Sequence, residues 1–137
     1  MNTPNPNKPV VELRIAITTG DYERLAKFYC DGLGLEPAQY WNNNQGQAVL
    51  LNMGNATLEI IDETQAETID KIEAGQRVSG KIRFAIQVPN LDSAMEKLIA
   101  QGAVLVHPPI LTPWGDYNVR LRDPDGMQIT LFQKKEN

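Results

Sequence analysis

The stretch Ile82-Arg83-Phe84-Ala85-Ile86 decides the fold, because its pattern occurs twice in the chain. Apolar side chains alternate with other side chains along it, which is the period of a β-strand with one buried face. Leu13-Arg14-Ile15-Ala16-Ile17 has the same alternation and carries an arginine at the same position. A helical pattern and further strand-like runs follow both stretches. The sequence therefore predicts one structural unit that is used twice.

Each of the two repeats has the pattern of a strand, a helix and three more strands. The first repeat is predicted over residues 10–63 and the second over residues 80–133, with a linker and a short surface helix at 64–79. Residues 1–9 are expected to form a flexible tail, and residues 134–137 a second tail. Because the apolar strand faces must cover the helices, we predict an α+β fold. Its two βαβββ units would have helices on the outer faces and curved mixed sheets that form a cleft.

The strongest turn signal in the chain is Asp123-Pro124-Asp125-Gly126. Its proline suits the second position of a type I turn, and its glycine suits the left-handed position that follows. This turn predicts a hairpin register that pairs Arg122 with Gln128 and Arg120 with Thr130. A slip of one residue would mix the apolar and polar faces, so the pattern itself supports this register.

Two element ends are predicted from residues that interrupt regular structure. Asp31-Gly32 is expected to end the first helix, since glycine suits a left-handed cap. The strand that begins at Val104 is expected to stop at His107, because Pro108-Pro109 cannot donate backbone hydrogen bonds.

The composition excludes several classes of protein. The net charge is −4 and no basic run is present, so nucleic acid is not an expected partner. No apolar run reaches the roughly 18 residues of a membrane span, and we expect no membrane association. The single cysteine, Cys30, cannot form an internal disulfide, which indicates a reducing, cytoplasmic location.

The candidate site lies on the strand faces opposite the apolar ones. Strand alternation places five polar side chains there: Arg14, Glu59, Arg83, Arg120 and Thr130. One interpretation is an internal ion-pair cluster. The other is a binding site for a carboxylate, phosphate or enolate, because the arginines outnumber the carboxylate and guanidinium groups bind planar anions. Glu59 as a catalytic base is the weaker hypothesis, since arginines within about 4–6 Å lower a carboxylate pKa.

Three further side chains have two interpretations each. Trp41 and Trp114 follow corresponding strands of the two repeats, and they either line the mouth of the cleft or pack against loops. His107 is better explained as a residue at a strand end or at the rim of the cleft than as an acid–base group.

The pattern resembles the vicinal oxygen chelate superfamily of glyoxalase I, bleomycin-resistance proteins and extradiol dioxygenases. The resemblance covers roughly residues 10–133 and depends on three motifs. They are Phe28-Tyr29 with Leu33-Gly34-Leu35, Trp114-Gly115, and Asp123-Pro124-Asp125-Gly126. In the metal-dependent members of the superfamily, four ligands, usually histidine and glutamate, occupy matched strand positions of the two repeats.

The resemblance assigns those four positions to Arg14, Glu59, Arg83 and Thr130. A guanidinium group has no lone pair to offer a metal, so only Glu59 could act as a ligand, and we expect neither a metal nor another cofactor. The resemblance then implies a metal-independent protein of the bleomycin-resistance type that binds a small anionic or aromatic metabolite or drug. The alternative is a glyoxalase-like lyase, isomerase or epimerase that stabilises an oxyanion with Arg14 and Arg83.

The resemblance also implies a homodimer. In that arrangement Arg14 and Glu59 of one chain would face Arg83 and Thr130 of the other.

Overall fold

The computed structural model describes residues 9–54 and 56–135. Its elements in chain order are β1 (Glu12–Thr19), α1 (Tyr22–Leu33), β2 (Pro37–Asn43), β3 (Gly46–Asn52), β4 (Thr57–Asp62), α2 (Glu63–Ala74), β5 (Ile82–Gln87), α3 (Leu91–Ala100), β6 (Val104–Leu111), β7 (Asp116–Arg122) and β8 (Gln128–Lys134). These helices and strands confirm the predicted α+β class and the twofold strand–helix–three-strand pattern.

The chain divides into two compact units. Of the described residues, the first unit runs from Arg14 to Arg83, and the second consists of residues 9–13 and 84–135. Both boundaries fall inside the strands that carry the repeated motif, β1 and β5. Helix α2 therefore belongs to the first unit.

The first unit contains the strand order β2-β3-β4-β1, in which β1 is parallel to β4 and the other pairs are antiparallel. Helix α1 packs on one face of this sheet, over Val49, Leu51 and Ile60. Helix α2 packs on the other face, where Ala66 meets Ala48 and Ile61 of the sheet. The two faces thus have separate cores, one for each helix.

Helix α2 is not the surface helix that the sequence predicted. Four of its residues are buried: Ala66, Asp70, Glu73 and Ala74. Asp62, the last residue of β4, also caps α2 by accepting a hydrogen bond from the Gln65 backbone N–H at 2.7 Å. Because strand and helix share this residue, the chain turns straight back over the sheet it has just left.

The second unit repeats the arrangement of strands, with the order β5-β8-β7-β6 and β5 parallel to β8. Helix α3 covers one face through a core of Val88, Leu91, Val119, Leu121 and Leu131. In both repeats the first strand pairs in parallel with the fourth, which confirms the internal repeat.

The hairpin between β7 and β8 has the predicted register. Arg122 is opposite Gln128 and Arg120 is opposite Thr130. The Asp123 backbone N–H donates to the Met127 carbonyl at 2.9 Å, and Gly126 has a positive φ of 90°. The glycine is needed there because other residues rarely adopt this conformation.

Two predicted element ends are wrong. Helix α1 continues through Gly32 to Leu33 and ends at Gly34, whose φ of 68° is left-handed. Strand β6 continues through Pro108-Pro109 to Leu111, with its pairing to β7 interrupted on both sides of His107. Prolines are tolerated there because β6 is the last strand in its sheet order, so one side of it needs no ladder partner.

The chain ends are only partly described. Most of the expected N-terminal tail, residues 1–8, lies outside the described residues, as do residues 136 and 137. The last strand reaches Lys134, one residue into the segment expected to be a tail. No helix within the described ranges is long and apolar enough to cross a membrane.

Candidate functional site

Glu59 occupies the centre of the candidate site in the first unit. In the sheet it is opposite Ala16 of β1 and Leu50 of β3. It shares a strand face with Ile61, which packs under α2, so the Glu59 side chain also lies on the α2 side. The side chain is partly buried.

Arg14 and Arg83 occupy matching positions in the repeat but have different surroundings. Arg14 lies two residues before Ala16 on the same strand face as Glu59 and is partly buried. Arg83 is only 8% exposed. Its Nη2 donates to the Ala66 carbonyl oxygen at 3.1 Å, and its Nη1 lies 3.0 Å from Asp70 Oδ1. Helix α2 therefore holds the Arg83 side chain.

Asp70 is the centre of a buried polar network. Its Oδ2 accepts hydrogen bonds from the backbone N–H groups of Val78 and Ser79 at 2.9 and 2.8 Å and from Arg77 Nη1 at 3.0 Å. Its Oδ1 accepts from the Ser79 hydroxyl at 2.8 Å. Burial alone would raise the pKa of Asp70, but the Ser79 hydrogen bonds, the Arg83 charge and the Val78 hydrogen bond lower this pKa to about 2. Asp70 is thus a firmly ionised partner for Arg83.

The pKa of Glu59 is shifted in the direction opposite to the one that the sequence predicted. Burial raises this pKa above its ordinary value, and the nearby Glu73 carboxylate raises it further. The charges of Arg14 and Arg83 pull the pKa down but do not overcome the effect of burial. Glu59 is therefore a carboxyl group that holds its proton to a higher pH than an exposed glutamate does.

The described residues of the first unit do not carry the surplus of positive charge that the sequence predicted. Helix α2 brings Asp70 and Glu73, both buried, to the face that carries Glu59. Three arginines, Arg14, Arg77 and Arg83, thus meet three carboxyl-bearing side chains, Glu59, Asp70 and Glu73. The sequence-based count was wrong because it assigned α2 to the surface and left its acidic residues out.

Arg120 and Thr130 belong to the second unit, where they are directly opposite each other on β7 and β8. Arg120 is almost fully buried, and its Nη1 donates to Gln128 Oε1 at 3.2 Å. His107 is opposite Arg120 on β6, and its Nδ1 lies 2.7 Å from the Pro108 carbonyl oxygen. These polar groups share the sheet face opposite α3.

The two tryptophans are both accessible. Trp41 is opposite Ala48 in the sheet, which places it on the α2 side of the first unit, and 40% of its surface is exposed. Trp114 lies in the second unit, in the turn before β7, and is also exposed. Only Trp41 thus shares a sheet face with Glu59 within one unit.

An open groove of about 350 Å³ lies on the other side of the first unit. It is bounded by α1 and the neighbouring strands, through Tyr22, Ala26, Cys30, Tyr40 and Val49 among others. Since Val49 belongs to the α1 core, this groove is separated from Glu59 by the sheet. None of the charged residues predicted for the site lines it.

A divalent metal does not fit the four positions that the resemblance assigns to metal ligands. The side chains there are Arg14, Glu59, Arg83 and Thr130, and neither guanidinium can donate a lone pair. Arg83 also binds Asp70, so that carboxylate already has a cationic partner. Among the described residues, no group of three or more histidine, cysteine or acidic side chains could hold a metal ion. No chemistry of this site is therefore assigned to a metal.

Sequence reasoning missed Asp70 and Glu73. A signal was present, because Ala66, Asp70 and Glu73 follow the i, i+4, i+7 spacing of one helix face. With charged residues at two of these three positions, the face has the composition of a solvated surface.

Comparisons with known proteins agree with the fold and the motifs. Residues 13–131 match the family model described as the Glyoxalase/Bleomycin resistance protein/Dioxygenase superfamily. A relative from Synechocystis, described as a probable lactoylglutathione lyase, is 28% identical over 128 residues, which are 88% of this chain and 93% of that protein. The chain belongs to the glyoxalase/bleomycin resistance protein/dioxygenase superfamily.

Solved structures show the same architecture. Methylmalonyl-CoA epimerase from Mycobacterium tuberculosis superposes with a TM-score of 0.68 at 18% identity, covering 95% of this chain and 92% of that one. A superfamily member from Vibrio splendidus has a TM-score of 0.63 at 13% identity, covering 90% and 98%. At these identities the likeness establishes the fold alone.

Proposed function

We propose that the protein binds a small aromatic or anionic molecule without a metal. One consideration carries the proposal: of the four positions that the resemblance assigns to metal ligands, two hold arginine and one holds threonine. Arg83 is moreover engaged by Asp70 at 3.0 Å. The superfamily scaffold then retains a polar surface whose groups can donate hydrogen bonds to a ligand.

The α2 side of the first unit suits such a ligand. Arg14 offers a guanidinium group, and Glu59 offers a hydroxyl group whenever it is protonated. Trp41 supplies exposed aromatic surface on the same face. Since acidic side chains offset the arginines, a ligand with an aromatic ring and a single oxygen-bearing group is a better match than a highly charged one.

Metal independence is tested by incubating the protein with nickel, zinc, manganese and iron and then measuring the metal content by elemental analysis. We expect less than one equivalent of each metal, and no difference between the native protein and a Glu59→Gln variant. Stoichiometric binding that disappears in the variant would refute the proposal. Mass spectrometry of small molecules that co-purify with the native protein would identify the ligand class.

A second candidate function is a lyase, isomerase or epimerase, and the raised pKa of Glu59 favours it. A general acid or base acts best when its pKa is near the working pH, and burial moves Glu59 in that direction. Arg14 would stabilise an oxyanion that develops beside it. The similarity to a probable lactoylglutathione lyase makes hemithioacetals the first substrates to test.

Turnover assays with hemithioacetals separate the two candidates. An enzyme that uses Glu59 would lose about 10²–10⁴-fold in kcat on Glu59→Gln substitution, which is the usual contribution of general acid–base catalysis. A binding protein would show no turnover above the uncatalysed rate in either form. Turnover that is unchanged in Glu59→Gln would remove Glu59 from the mechanism.

A further inference from the structure

The unequal surroundings of the two repeated arginines show how the site is organised. The sequence alone makes Arg14 and Arg83 equivalent, since each follows the first residue of the same strand motif. In the structure, Arg83 is buried and is held by the Ala66 carbonyl oxygen and the Asp70 carboxylate, both from α2. Arg14 retains more exposure. One of the two matched cations is therefore fixed to a helix.

Asp70 is well suited to fix a guanidinium group. It is fully buried, and two backbone N–H groups, the Ser79 hydroxyl and Arg77 already hold its oxygens in place. A carboxylate held in this way cannot rotate to follow a moving partner. Arg83 must therefore come to Asp70, and its position is set by α2 and by the segment that includes Val78 and Ser79.

We propose that Asp70 is a positioning residue of the site, which fixes the Arg83 guanidinium against α2 and thereby sets the charge that Arg83 presents to Glu59. The inference rests on the proposed function in one respect, namely that the sheet face that carries Glu59 is the ligand-binding surface. An ion pair presents a weaker field to its surroundings than an isolated cation does. Asp70 thus keeps Arg83 from acting on Glu59 as a full positive charge.

As a consequence, the pKa of Glu59 depends on Asp70, a residue of another element. The charged groups that influence Glu59 are Arg14 from β1, Arg83 from the start of β5 and Glu73 from α2. Without the Asp70 carboxylate, the charge of Arg83 would act more strongly on Glu59. The pKa of Glu59 would then fall, because a nearby cation favours the ionised carboxylate.

The proposal is tested by titrating Glu59 with carboxyl-detected NMR in the whole chain. In Asp70→Asn we expect the pKa of Glu59 to fall by about one unit, the usual effect of a nearby opposite charge. The double variant Asp70→Asn/Arg83→Met should show no such fall relative to Arg83→Met alone, because the effect acts through the arginine. An equal fall in both backgrounds, or no fall in either, would overturn the proposal.

Ser79→Ala is the matched control. It removes one hydrogen-bond donor from Asp70 but leaves the Arg83 ion pair in place, so the pKa of Glu59 should not change. A purely structural role for Asp70 would instead make stability fall in both variants while Glu59 titrated as in the native protein.

A second measurement avoids the Asp70 variant, which could fail to fold. Arg14→Met should raise the pKa of Glu59 more than Arg83→Met does, because Arg14 lowers this pKa more strongly and Arg83 is paired with Asp70. Equal increases would contradict the proposal. Both measurements use the protein without ligand, so they would fail independently of the metal analysis and the ligand screen that test the proposed function.

Discussion

Glu59 combines a partly buried side chain with two nearby cations, and burial has the larger effect on its pKa. A group whose pKa is higher in the folded state adds stability at low pH and loses it as the pH rises through the folded value. We therefore predict that Glu59→Gln, which mimics the protonated form, leaves the free energy of unfolding unchanged near pH 4. Above the folded pKa the variant should be more stable than the native protein. Urea unfolding between pH 4 and 8 measures this difference.

Glu67→Gln is the control for that experiment. Glu67 is exposed on α2 and pairs with Lys71 at 2.9 Å, a surface contact of small energetic value. Its substitution should change stability little at any pH. A Glu59→Gln variant that is less stable than the native protein at pH 8 would mean that the arginines, and not burial, dominate at Glu59.

The contribution of Asp70 to stability has the opposite pH dependence from that of Glu59. Its folded pKa of about 2 lies below the ordinary value of 3.8, so its contribution is complete above about pH 4 and is lost as the pH falls toward 2. The shift corresponds to about 2 kcal/mol. We predict that the native protein loses this stability between pH 4 and 2 and that Asp70→Asn does not.

The Asp70→Asn variant should also be less stable than the native protein at neutral pH by about 3–5 kcal/mol, because it leaves Arg83 buried without its carboxylate. Acid-dependent urea unfolding gives both quantities.

The close approach of α2 to the β2–β3 turn depends on Gly46. This residue has a φ of 122°, and a Cβ atom there would lie 2.3 Å from the Gln65 backbone nitrogen and 2.6 Å from Asp62 Oδ1. We predict that Gly46→Ala destabilises the protein by at least about 1–3 kcal/mol, because it adds backbone strain and displaces the start of α2. Thermal unfolding monitored by circular dichroism measures the loss.

Gly32→Ala provides the comparison for that substitution. Gly32 lies within α1, and a Cβ atom added there would meet nothing within 4 Å beyond its own helix backbone and chain neighbours. Alanine should stabilise the protein there by about 0.5 kcal/mol, since it loses less conformational freedom in a helix than glycine does. A similar loss in both variants would mean that the contact with α2 does not explain the effect at Gly46.

Element by element, the sequence predicts most of the fold, because the spacing of apolar side chains and the residues of turns are local properties. The register of β7 and β8 follows from the turn at 123–126, and the repeat follows from the motif in β1 and β5. The burial of α2 could not be predicted in this way. Asp70 finds its partners in Arg83, Val78 and Ser79, which lie beyond the helix in the chain, so the helical spacing alone does not distinguish this buried face from a solvated one.

At the scale of the whole molecule, the part of the site that local sequence patterns determine is predictable, and the part that depends on tertiary contacts is not. Strand alternation places Arg14 and Glu59 on one face, and the structure places them there. The charge balance and the pKa of Glu59 depend instead on which helix covers that face. Such tertiary effects change the chemistry of a site without changing its strand positions.

The first unit also exposes large apolar side chains on its α1 side. Phe28 of α1 and Tyr40 of β2 are 67% and 70% exposed, and Leu33 at the end of α1 is also largely exposed. Every residue of β2 is exposed, and β2 is the terminal strand in the sheet order. Exposed apolar clusters and unpaired strand edges are typical of surfaces that associate with other chains.

We predict a homodimer that forms through this surface. Equilibrium sedimentation at micromolar concentration should give twice the mass of the chain, and Phe28→Glu or Tyr40→Glu should shift the protein toward the monomer, because each would bury a charge in the interface. Ile99→Glu on α3 of the second unit is the control, since Ile99 is exposed but lies on a different helix, and it should leave the dimer intact. A monomer at every concentration would contradict the prediction. A dimer broken only by Ile99→Glu would place the interface on the second unit.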